Sequence, residues 1–145
     1  KKSNFSFAII KKAIFQECEL EDISFNGADC KKLKIKHPKN FDGADWSNAT
    51  SKKCLIMGDK KEQDIKDNDF FKALSFNGAT IEKLQLKNIY FNTILFQSSA
   101  LIRITCDDVA FVNASFKSAK INIEKLQNTH FFYCDFTGAA FDNIN

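Results

Sequence analysis

The segment FNGAD at residues 25–29 returns as FNGAT at residues 76–80, displaced by 51 residues. Stepping by five from Phe5 gives Phe5, Ile10, Phe15, Leu20, Phe25, Cys30 and Ile35, a series of apolar or small centres. One extra residue near Pro38 moves the series to Phe41, Trp46, Ser51 and Ile56. The polar stretch DKKEQDIKDN at residues 59–68 then interrupts it; it resumes at Phe71 and holds through Phe141. A short unit repeated at a fixed period buries its apolar side only by stacking on its neighbours, so this pattern points to a solenoid.

Units such as Ala28-Asp29-Cys30, Ala44-Asp45-Trp46 and Cys134-Asp135-Phe136 put a small residue two before the centre and Asp just before it. In this they resemble the pentapeptide-repeat family, and the resemblance runs through about 26 units, nearly the whole chain. It implies an all-β fold, a right-handed quadrilateral parallel β-helix with four units per coil and about seven coils. The sequence supports that coil. With the residue near 38 and residues 59–68 set aside, every fourth centre reads Phe5, Phe25, Trp46, Phe76, Phe96, Phe116 and Phe136. A second column reads Leu20, Phe41, Phe71, Phe91, Phe111 and Phe131. These aromatic centres are the expected core, stacked as like on like. The displacement of 51 is then two coils of twenty, one inserted residue and one ten-residue loop at 59–68, within a single domain spanning 1–145. Lys39, Asp69 and Glu124 fall in small inward slots; the first two flank the insertions, and the register offers no account of Glu124.

Composition agrees with an ordinary globular chain: 145 residues, 44% hydrophobic, 27% charged, formal charge +3. Five Gly and one Pro are too few for a fold of antiparallel hairpins, so something else must turn the chain. No apolar run is long enough to span a bilayer. With no initiator Met and no signal-like stretch, a trimmed or processed chain is expected. The five cysteines, Cys18, Cys30, Cys54, Cys106 and Cys134, all occupy inward positions. An odd number without CxxC spacing argues for buried reduced thiols and against disulfides or zinc. A cytosolic setting follows, bacterial if the chain follows the family, with an exported role left open.

Catalytic chemistry has few candidates. His37 and His130 fall on different faces with no triad partner in sight. Asp107-Asp108 and Glu19, Glu21 and Asp22 read as solvated charges, and no glycine-rich phosphate loop exists. The expectation is a non-enzyme with no cofactor, no metal and no small-molecule substrate.

The outward columns are more informative. On the second face the two residues after each centre read Lys11-Lys12, Lys31-Lys32, Lys52-Lys53, Glu82-Lys83 and Ile102-Arg103. Lys34, Lys36 and Lys87 extend the positive field onto the third face, against Glu17 and two Asp. This is a candidate strip for an anionic partner: nucleic-acid phosphate, anionic lipid or an acidic protein. The alternative is that Lys solubilises the rod and blocks strand addition. A candidate apolar interface comprises Phe70, Tyr90, Val112, His130, Phe132 and Tyr133 at outward positions of the fourth face. Packing against a further segment or the loop would serve them equally. Self-association as a homo-dimer through the C-terminal coil is expected from its open edge. Two functions stand: an interaction module or scaffold for a protein or polyanion, and a topoisomerase-protecting protein. Some pentapeptide-repeat proteins imitate DNA at the gyrase site, and net basic charge disfavours that second reading.

Overall fold

A computed structural model describes residues 3–59 and 70–142. Apart from Asp59, the loop expected at 59–68 lies outside the described residues, as does Asp69. The strands are β1 (Ile9–Lys11), β2 (Ile14–Gln16), β3 (Asp29–Lys31), β4 (Lys34–Lys36), β5 (Thr50–Lys52) and β6 (Leu55–Met57). They continue as β7 (Phe71–Ser75), β8 (Thr80–Glu82), β9 (Gln85–Leu95), β10 (Ala100–Val112), β11 (Lys120–Phe132) and β12 (Ala140–Phe141). Every pairing between them is parallel.

The ladders measure the coil directly. Along the second face Ile10 pairs with Cys30, Cys30 with Ser51, Ser51 with Ile81, Ile81 with Leu101, Leu101 with Ile121 and Ile121 with Phe141. The steps are therefore 20, 21, 30, 20, 20 and 20 residues. Phe15, Ile35, Ile56, Leu86, Cys106 and Leu126 repeat the same steps on the third face. The one-residue and ten-residue interruptions thus fall where the repeat puts them. The fold is an all-β parallel solenoid that matches a pentapeptide-repeat β-helix and makes about 6 turns, against about seven expected. The seventh rung of the first face opens a circuit that the described chain leaves at Asp142, two faces short of closing.

What turns the chain is the residue two after each centre. Every described residue at that position has φ between 48° and 72°, with Gly58 and Ile123 excepted. Nineteen of these residues are not glycine. At the corners after the first face, the N–H three residues after the centre donates back to the centre's carbonyl, as from Ala28 to Phe25 (2.9 Å) and Ala79 to Phe76 (3.1 Å). With φ positive at the third residue these are type II turns, which explains Gly in FNGA. At Gly27 the ring of Phe7 lies so close that a Cβ would meet its Cε1 at 2.5 Å. Elsewhere each left-handed non-Gly residue costs about 1–2 kcal/mol, held in place by the coils on either side. The residue before the centre caps the turn: Asn4, Asp45 and Asp135 each accept the N–H two residues on, at 2.8, 2.9 and 2.8 Å.

Two expected inward residues are corrected. Lys39 is exposed, and Pro38 fills the interior in its place. Glu124 is likewise exposed, and Ile123 pairs with Ile104 one residue out of step and packs on the core. The cause is local. Position 123 should be a left-handed corner, a conformation that a β-branched side chain resists. Ile123 instead turns inward, the ladder bulges, and Glu124 swings to solvent. The usual carbonyl partner is lost there, and the Arg103 N–H donates to the Asn122 side chain at 3.1 Å.

Inside, the first-face rings stack as predicted, with centroids 5.7 Å apart for Phe5–Phe25, 4.8 Å for Phe25–Trp46 and Trp46–Phe76, and 5.1, 5.0 and 4.8 Å onward to Phe136. Phe41, Phe91 and Phe111 are buried on the fourth face, while Phe5, Phe71 and Phe136 are half-buried. Phe131 was expected in the core and is 38% exposed, because no described rung lies over it. Beneath it an apolar cavity of about 130 Å³ opens among Leu101, Phe116, Leu126 and Phe141.

Candidate functional site

The corner between the second and third faces is built by the left-handed residues Lys12, Lys32, Lys53, Lys83 and Arg103, with φ of 55–57°. That conformation aims each side chain off the edge of the rod. Their N–H groups tie one coil to the next: Lys12 to the Lys31 carbonyl, Lys32 to Lys52, Lys53 to Glu82 and Lys83 to Ile102. Beside them, Lys11 pairs in register with Lys31 and Lys31 with Lys52. All of these cations are exposed except Lys83, which is half-buried. None forms an ion pair with another described residue; the pair found among those residues joins His37 to Asp59. A row of like charges one β-rung apart, roughly 4.8 Å, is a standing repulsion that an anion would relieve.

Between Lys53, Lys83 and Arg103 on this corner and Lys34 on the third face runs an open groove of about 520 Å³. Its floor includes Cys54, Leu55, Gln85 and Thr105, and Glu124 stands at its far end. The bulge at Ile123 is what places Glu124 outside, so the lysine row ends there in a carboxylate.

The candidate apolar interface is not a continuous exposed patch. Tyr90 is 2% exposed, which corrects its reading as a surface residue: the ring of Phe70 packs on it with centroids 5.7 Å apart, and small Ala110 occupies the next rung. Phe70, Val112 and His130 are half-buried, and the His130 ring lies parallel to that of Phe132 at 5.9 Å. Phe132 and Tyr133 are exposed, joined by Leu126, Phe131 and Phe141.

Sequence reasoning passed over three residues beside the lysine row. Phe7 is 76% exposed, Ile9 73% and Ile14 57%. The signal was present: Ile9 and Ile14 stand just before their centres, in slots that point outward.

The remaining chemistry is quiet. Burial pushes the Cys30 thiol up to about 12, with Cys54 and Asp29 adding to the effect, and burial alone does the same at Cys106. Burial also raises Cys134, which donates to carbonyls of Phe111 and Phe132. Such thiols stay protonated and are poor nucleophiles. His37 and His130 sit on different faces, and no group of three metal-ligating side chains occurs among the described residues.

No protein-family model matches this chain, and no curated protein does. Among solved structures, a trypsin-treated variant of QnrB1, a plasmid-mediated fluoroquinolone resistance protein, is 15% identical, with a TM-score of 0.41 over 99% of this chain and 84% of that one. HetL, a pentapeptide-repeat protein involved in heterocyst differentiation regulation from the cyanobacterium Nostoc, is 16% identical, with a TM-score of 0.26 over 95% and 74%. These superpositions are loose, and the ladders of this chain carry the fold on their own.

Proposed function

We propose that this protein is a non-enzymatic interaction scaffold whose basic corner engages an anionic macromolecule. One observation carries the reading: Lys12, Lys32, Lys53, Lys83 and Arg103 occupy successive rungs of one edge, pointing outward without a described ion-pair partner. A solenoid supplies what such a surface needs, since the backbone fixes the spacing of the charges before any partner arrives. Self-association through the C-terminal coil, where Phe131, Phe132 and Tyr133 are exposed, belongs to the same reading, and light scattering against concentration reads it directly. A topoisomerase-protecting role finds no support in this surface, since an imitation of DNA would present acid where the rod presents lysine; an unaltered supercoiling reaction of gyrase at micromolar protein is the expected result.

The test is fluorescence anisotropy of labelled heparin and of labelled duplex DNA at several salt concentrations. Wild type is compared with Lys12→Glu, Lys32→Glu, Lys53→Glu and Lys83→Glu combined. The reading expects binding that falls steeply with salt and is abolished in the variant. Absence of binding to either probe, or equal binding by the variant, would refute it.

A further inference from the structure

On the second face, the basic corner and the start of the third face, the first coil exposes Phe7, Ile9, Lys11, Lys12 and Ile14, followed along the chain by exposed Gln16 and Glu17. In later coils the same columns hold polar or smaller residues except at Leu55: Ile9 is followed by Asp29, Thr50, Thr80, Ala100, Lys120 and Ala140, and Ile14 by Lys34, Leu55, Gln85, Thr105 and Lys125. Of the nine exposed large hydrophobic side chains among the described residues, Phe7, Ile9, Ile14 and Ile102 line this side, and the other five cluster toward the carboxyl end. Ile9 and Ile14 point away from the rod, so a further coil stacked against this end would leave their outer faces open.

Resting on the anionic-partner reading above, we propose that the partner is an anionic lipid surface, and that the rod lies on it through the second and third faces, with Phe7, Ile9 and Ile14 entering the headgroup boundary. Two features fit a membrane better than the other polyanions. The cations are Lys with a single Arg, suited to diffuse attraction and to snorkelling around apolar contacts, and poor in the bidentate groups that read bases. Exposed isoleucines flanking paired lysines have nothing to meet on a phosphate backbone, whereas lipid offers phosphate and hydrocarbon within one thin layer. No described helix is long and apolar enough to cross a bilayer.

The experiment is cosedimentation with vesicles of phosphatidylcholine alone and of phosphatidylcholine with about one-third phosphatidylglycerol, at low and high salt, alongside the heparin titration. Wild type is expected to bind only the anionic vesicles, with each Lys→Gln on the corner weakening partition about fivefold. Ile9→Ser with Ile14→Ser should weaken vesicle binding about tenfold or more while leaving heparin affinity unchanged. Both positions tolerate polar residues in later coils, so the variant folds. A Phe7→Trp probe should shift to the blue and be quenched by brominated lipid, with Trp46 buried and unresponsive. Heparin binding without vesicle binding, or vesicle binding indifferent to the isoleucine changes, would overturn the membrane proposal and leave the anionic-partner reading standing. Binding to neither probe would remove both.

Discussion

The inner wall of the first face and the outer edge of the second are written with the same repeat, and the physics of repetition has opposite sign in the two. Inside, Phe76, Phe96 and Phe116 stack at 5.1 and 5.0 Å, and each identical neighbour adds burial and offset ring contact. Outside, Lys12, Lys32 and Lys53 stand on the three successive rungs before these, and each identical neighbour adds repulsion. Repetition in the core explains itself through stability. Repetition on the basic edge does not, and that asymmetry is the argument for a partner.

The largest effect expected comes from breaking the inner column. Phe96→Ala should lower unfolding free energy by about 3–5 kcal/mol, read from urea denaturation, because the ring is buried and stacked on both sides. A smaller effect sharpens the rule for corners. Ile123→Asn with Glu124→Ala restores a left-handed turn and a small inward residue; stability should rise by on the order of 1 kcal/mol, and Arg103 should regain a carbonyl partner, visible as amide protection. The smallest concerns an outer column whose repetition serves the backbone. Asp135 caps its turn through Thr137, whose hydroxyl and N–H hold the carboxyl below its usual value. Its folded pKa is thus lower than its unfolded one. Any contribution it makes is full above the unfolded value and lost as pH falls through the folded one. An NMR titration should show a depressed midpoint in wild type that moves part of the way back in Thr137→Ala, which removes the hydroxyl and keeps the N–H.

The coil could be read from the sequence because its two interruptions leave the columns intact once removed: Trp46 joins the aromatic column only if one residue is skipped, and Phe76 only if ten more are. What escaped the five-residue pattern was conformational. Pro38 and Ile123 displace Lys39 and Glu124 from the interior through backbone adjustments that a fixed register cannot express. Tyr90 was placed outward correctly by register, and is nevertheless buried because burial depends on the neighbouring ring of Phe70. The basic corner was legible by count and the outward slots of Ile9 and Ile14 by register, but the edge geometry that brings them together required the coil in three dimensions.

The most direct measurement is urea unfolding of wild type and of Lys32→Gln, Lys53→Gln and Lys83→Gln combined, at low and high salt, with and without heparin. If the edge is kept for binding at a cost in stability, the variant is the more stable protein at low salt, the gap closes at high salt, and heparin stabilises wild type alone. A variant no more stable than wild type, with heparin acting equally on both or on neither, would contradict the account.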